Sequence, residues 1–144
     1  MSENINLRVL VICAGNSARS PMAEGLFRTL GAGRVSVASS GSDPAAGVHP
    51  LAVKAMHEIG IDLSEHEPKS IDSVLDHAFD HVIAVCSQAA ESCPIFPGPA
   101  ERLDWFYDDP AAVLGSQEEQ LTAFRTVRDG LRCQIAAWLM EHFA

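Results

Sequence analysis

Leu7-Arg-Val-Leu-Val-Ile-Cys13-Ala-Gly-Asn-Ser-Ala-Arg19-Ser20-Pro21 decides the fold of this chain. Arg8 to Cys13 is a nearly unbroken apolar run. That is the pattern of a parallel strand covered on both faces, where strict in-out alternation is lost. A short loop holding Gly15 follows, and Pro21 to Leu30 then reads as a helix. Met22, Leu26, Phe27 and Leu30 fall on one stripe, and Pro21 sits in the first turn, where a missing N–H costs nothing. A strand, a tight loop and a helix in that order begin an α/β unit.

The rest of the chain repeats the alternation. Arg34 to Ser39 alternates as a strand. His49 to Ile59 is helical through Leu51, Val53, Met56 and Ile59, and Gly60 stops it. Asp62 to Lys69 is a polar loop with Pro68, Ile71 to Ala78 a short helix, and His81 to Cys86 a second buried strand. Pro94, Pro97, Gly98 and Pro99 make the next connection irregular. A long final helix opens at Ser116, with Glu119 three residues on as a capping box. Leu121, Phe124, Val127, Leu131, Ile135 and Trp138 or Leu139 carry its apolar stripe. Strands alternating with helices imply a parallel sheet with helices on both faces, whose ligands bind beyond the carboxyl ends of the strands. Cys13 and Cys86 both end buried strands, so both should open onto that rim. No repeat, linker or low-complexity tract appears, and residues 1–144 are expected to form one domain.

Composition narrows the function. The chain has 144 residues, 47% hydrophobic and 20% charged, with a formal charge of −9. Such a chain buries a real core, and its acidity argues against general affinity for nucleic acid or an anionic membrane. The apolar run from Leu7 to Ala14 is far shorter than the roughly 20 residues of a membrane-spanning helix. Four cysteines without a secretory segment point to a reducing compartment, the cytoplasm. Cys13, Cys86, Cys93 and Cys133 lack CxxC spacing, and His77 and His81 straddle the start of a strand, so no metal site is expected.

The loop from Cys13 to Ser20 supplies the positive site that an acidic protein needs to hold an anion. A strand-to-helix loop turns backbone N–H groups and a helix start toward one point. Gly15 permits a conformation that a side chain would forbid. Arg19 adds a planar fork for two oxygens of a tetrahedral anion. The same surroundings favour the thiolate of Cys13, the nucleophilic form. Ser20 is placed to donate to it, and Asn16 to brace the loop.

This segment resembles the phosphate loop of the low-molecular-weight protein tyrosine phosphatases and of the arsenate reductases that share their fold. Gly41 and the Val48-His49-Pro50 segment fit the resemblance, which runs from Leu7 nearly to the C-terminus. It implies a four-stranded parallel sheet, an oxyanion cradle of Ala14, Gly15, Asn16, Ser17, Ala18 and Arg19, and Asp109 of Asp108-Asp109-Pro110-Ala111 as proton donor to the leaving oxygen. On the residues alone an ordinary Asp-Pro turn is the favoured reading of Asp109, and only the resemblance reverses that. Ala111 follows it, as in the reductases, where the phosphatases usually carry an aromatic residue.

Cys86-Ser-Gln-Ala-Ala-Glu-Ser-Cys93-Pro94 separates the two branches. Taken alone these cysteines could be small buried hydrophobes. Their spacing resembles that of reductases with a three-cysteine relay, which implies that Cys13 attacks arsenate, Cys86 attacks Cys13, and Cys93 resolves the disulfide. No cofactor is implied. The expected partners are arsenate, with phosphate or sulfate competing, and an electron donor such as thioredoxin or glutaredoxin with glutathione. The protein is expected to act as a monomer. The separation from Cys86 to Cys93 would span about 10.5 Å on a helix, at about 1.5 Å per residue. A disulfide needs Cα atoms roughly 4.4–6.8 Å apart. A helix over Gln88 to Ser92 would therefore unwind on oxidation, and Pro94 eases this. Some relatives bind potassium beside the loop. Asn16, Glu24 and Ser39 match three of its ligands, while Lys69 stands where those relatives have an acid. Its ammonium could replace the cation and pair with Glu24, making activity indifferent to potassium, or could simply be a solvated surface charge. The rival functions are a phosphotyrosine phosphatase, disfavoured by few aromatics near the loop, and a non-catalytic oxyanion-binding or redox-sensing module. Cys133 falls outside every motif.

Overall fold

The computed structural model describes residues 7–87, 89 and 100–143. Its sheet has four parallel strands, β1 (Leu7–Cys13), β2 (Val35–Gly41), β3 (His81–Ala84) and β4 (Glu101–Asp104), in the spatial order β2-β1-β3-β4. Val9, Leu10, Val11 and Ile12 are each fully buried. Successive strand residues point to opposite faces, so both faces of β1 are covered. The register pairs Cys13 with Gly41 on one side and Ile12 with Ala84 on the other.

Among the described residues three full helices pack with this sheet: α1 (Arg19–Gly31), α2 (Pro50–His57) and α3 (Gln117–His142). The capping box at Ser116 and Glu119 is formed in both directions. Phe27 of α1 stacks on Trp105 and meets Trp138 of α3 edge-on, filling the core between them. Polar contacts join α2 to α3. Arg128 donates to the Ala55 carbonyl at 2.8 Å and to Glu58 at 2.8 Å, and Arg125 grips the same carboxylate through Nε and Nη2.

Several boundaries differ from the sequence reading. The segment after Ser70 is a single 3₁₀ turn, Ile71–Val74, not a helix to Ala78. Beyond Leu75, Asp76, His77 and Ala78 are all exposed, so no apolar face continues the turn. β3 ends at Ala84, two residues short of Cys86. β4 lies on the sheet edge, and three of its four residues are exposed. An exposed edge strand need not show a buried-strand pattern, which is why periodicity did not reveal it. Residues 88 and 90–99, including Cys93 and most of the expected redox-switch segment, lie outside the described residues.

Candidate active site

The loop after β1 is built from the outside in. Its carbonyls are held by the chain that follows β2. Ser42 N–H donates to Cys13 O at 3.2 Å, Asp43 to Ala14 O at 2.8 Å, Ala45 to Gly15 O at 2.9 Å and His49 to Ser17 O at 2.8 Å. In a planar trans peptide the C=O and the next N–H point in opposite directions. The N–H groups of Ala14, Gly15, Asn16 and Ala18 are thereby turned to the inner side of the loop. Asn16 N–H reaches Cys13 Sγ at 3.2 Å. At the far end α1 begins at Arg19, and its first turn has no side-chain cap, so its N-terminal amides add to the same positive concavity.

The left-handed residue of the loop is Asn16, at φ +50°. The sequence reading had assigned the conformational freedom to Gly15. A Cβ at Gly15 would meet only side-chain atoms, the nearest Ser17 Oγ at 3.2 Å. Asparagine tolerates the left-handed region, and here its side chain is fixed on every side. Asn16 Nδ2 donates to Ser20 Oγ at 2.8 Å and to Ser39 Oγ at 2.9 Å. Its Oδ1 accepts from Lys69 N–H at 3.0 Å and His66 Nε2 at 3.2 Å. Because Ser20 Oγ accepts from Asn16, its own hydrogen is free for Cys13 Sγ, 2.8 Å away. Cys13, Asn16 and Ser20 are all buried. Gly41 closes the wall: a Cβ there would sit 2.5 Å from Ala14 O and 2.9 Å from Asn16 N.

Behind Asn16 lies the acid–base cluster matched to the potassium site of some relatives. Ser39 Oγ donates to Glu24 Oε1 at 2.7 Å, and Arg28 donates to Glu24 Oε2 at 2.7 Å. Lys69 enters through its main-chain N–H. Its ammonium makes no ion pair with Glu24 among the described residues, so of the two readings of Lys69 the pairing with Glu24 is not formed. The ring facing Glu24 is His66, with Nδ1 4.0 Å from Oε2. Burial pushes the His66 ring below its usual value, against the pull of Glu24. Sequence reasoning missed His66, because one histidine in a polar loop carries no periodic or motif signal.

Of the other expected residues, Arg19, Cys86 and Asp109 border a cavity of about 360 Å³ that Ser87, Phe106, Tyr107 and Asp108 also line. Cys86 is buried two residues beyond β3, and Val85 N–H donates to Ile12 O at 2.9 Å. Cys13 and Cys86 thus follow adjacent inner strands at their carboxyl ends, as their placement in the sequence suggested. Ala89 N–H donates to Cys86 Sγ at 3.4 Å. Asp109 is exposed and its Oδ1 accepts from Ala111 N–H at 3.0 Å, so it both forms the ordinary turn and borders the cavity. Phe106 is half exposed on the cavity wall beside Tyr107, more aromatic surface than the sequence reading allowed.

Comparison with known proteins bears on this geometry. Residues 8–142 match the family model "Low molecular weight phosphotyrosine protein phosphatase". The chain is 46% identical over 121 residues to an arsenate reductase of Halalkalibacterium halodurans, covering 84% of this chain and 86% of the relative. A solved structure of an arsenate reductase in the oxidized state superposes with a TM-score of 0.79 at 33% identity, covering 93% of this chain and 97% of that one. Another, of an arsenate reductase in the phosphate-binding state, gives 0.75 at 32% identity and covers 94% and 98%.

Proposed function

This chain belongs to the low molecular weight phosphotyrosine protein phosphatase family, and from that membership we propose that it is an arsenate reductase whose nucleophile is the Cys13 thiolate. The amides of the 14–18 loop and the Arg19 fork bind the arsenate oxygens. Ser20 Oγ–H and the Asn16 N–H both point at Cys13 Sγ, donors that an attacking sulfur can accept from. Cys13 attacks arsenic, Asp109 protonates the departing oxygen, and water leaves. Cys86 then attacks Cys13 Sγ. The S–S bond forms as the S–As bond breaks, and its electron pair stays on arsenic, which departs as arsenite. Cys93 attacks Cys86, frees Cys13 and leaves a Cys86–Cys93 disulfide for an external thiol reductant, such as thioredoxin or glutaredoxin with glutathione. Two thiols lose two electrons and arsenic(V) gains them. Such a cycle needs a reducing compartment, which favours the cytoplasm; among the described residues no helix is long and apolar enough to cross a membrane.

The observation that supports reduction over hydrolysis is Cys86, a second buried thiol on the cavity that Arg19 and Asp109 border. A phosphatase finishes with water and has no use for it. The exposed ring of Phe106 on that cavity favours a residual aryl-phosphatase activity as a second reading. The test is arsenate turnover with thioredoxin, glutaredoxin–glutathione or a small thiol as donor, on wild type and on Cys13→Ser, Cys86→Ser and Cys93→Ser. All three variants should lose turnover. Full turnover by Cys86→Ser would refute the relay.

A further inference from the structure

Tyr107 lies two residues before Asp109 and is fixed at four points. Its N–H donates to Val85 O at 3.0 Å, its carbonyl accepts from Arg19 Nη1 at 2.8 Å, and its hydroxyl donates to Gln134 Oε1 of α3. Its ring lies over Gly130, where a Cβ would meet Tyr107 Cε1 at 2.9 Å. Gly130 sits inside a 26-residue helix without a positive φ, so no turn calls for glycine there. A glycine in such a place costs about 1 kcal/mol relative to alanine. What it contributes is room for this ring.

The carbonyl contact matters because Arg19 is a long, rotamer-rich side chain. With Nη1 held by Tyr107 O, the opposite Nε–Nη2 edge has no protein acceptor among the described residues. That edge is the fork that grips two oxygens of a tetrahedral anion. We propose that Tyr107 is a positioning residue for oxyanion binding, orienting the Arg19 guanidinium through its carbonyl, with Gly130 and Gln134 of α3 as its seat. The inference rests on the arsenate reductase reading for its kinetic consequence, but its binding consequence can be measured without turnover.

The experiment uses Gly130→Ala, Tyr107→Phe and Gln134→Leu. Protection of Cys13 from iodoacetamide is titrated with inorganic phosphate, alongside thermal unfolding and arsenate kinetics. If the tyrosine only fills space, Gly130→Ala forces the ring to shift and lowers the unfolding temperature, but binds phosphate as wild type does. If Tyr107 orients Arg19, Gly130→Ala, assayed well below its unfolding temperature, also binds phosphate about fivefold more weakly, the effect of losing about one hydrogen bond's worth of order. Tyr107→Phe, which keeps the ring, weakens phosphate in the same direction, and the arsenate KM rises in parallel. Unchanged phosphate affinity in both Gly130→Ala and Tyr107→Phe overturns the proposal. Weakened phosphate binding in a protein whose wild type does not reduce arsenate would uphold Tyr107 and sink the reductase reading instead.

Discussion

Replacing Asn16 tests the site through a reversal of the usual order of two substitutions. Asn16→Ala deletes, besides the longer His66 contact at 3.2 Å, the side-chain bonds to Ser20, Ser39 and the Lys69 N–H, at 2.8, 2.9 and 3.0 Å. At about 1 kcal/mol net for each, these contribute about 3 kcal/mol. Alanine must also hold φ +50°, which costs about 1 kcal/mol more in the left-handed region. The expected loss is about 4 kcal/mol, within the ~5–15 kcal/mol of a normal domain, so the variant still folds. Asn16→Gly loses the same bonds but not the dihedral strain. It should therefore be the more stable of the two, although glycine is ordinarily the weaker residue. Urea unfolding with a shared slope measures both differences. A loss below about 1 kcal/mol for Asn16→Ala, or alanine more stable than glycine, would refute a loop braced by this side chain.

Further expectations follow from the same contacts. Gly41→Ala drives a Cβ into Ala14 O and Asn16 N, both main-chain atoms, and should cost about a hundredfold in kcat/KM, as displacements of about 1 Å in a reacting site can. Stopped-flow assay with urea unfolding separates this from loss of fold. The Arg125 guanidinium bonded to Glu58, and then Arg128, hold that carboxyl down to about 2 from 4.5. Its contribution is complete above 4.5 and is lost as pH falls toward 2, so Glu58→Gln should flatten the acid limb of stability in that window, read from urea midpoints against pH. Burial holds the His81 ring below 6.5, helped by His142 and opposed by Glu101 and Asp80. The unfolded chain therefore binds that proton more tightly, and stability falls as pH drops below about 6.5. His81→Phe should shallow this slope without removing it, since buried His66 acts in the same direction.

How much of this was legible in the sequence depends on what each element buries. β1 and the Cys13–Arg19 loop could be read because a strand covered on both faces must be apolar throughout and the loop must follow it directly. The start of α3 could be read because Ser116 and Glu119 encode their mutual hydrogen bonds locally. β4 could not, because an edge strand with exposed side chains carries no burial pattern. Nor could the setting of Asn16 by His66, or of Arg19 by Tyr107, since these join residues 50 and 88 positions apart. Lys69 shows the same limit: its position in the chain was informative, but its side-chain charge was not the group that entered the network.

The most direct test of a Cys13 thiolate attacking arsenate is one turnover by the reduced protein with no external thiol. Arsenite should form at one equivalent per chain, and peptide mapping should find a Cys86–Cys93 disulfide with Cys13 free. No arsenite beyond that from Cys13→Ser, or a disulfide drawn from Cys133 instead, would contradict it.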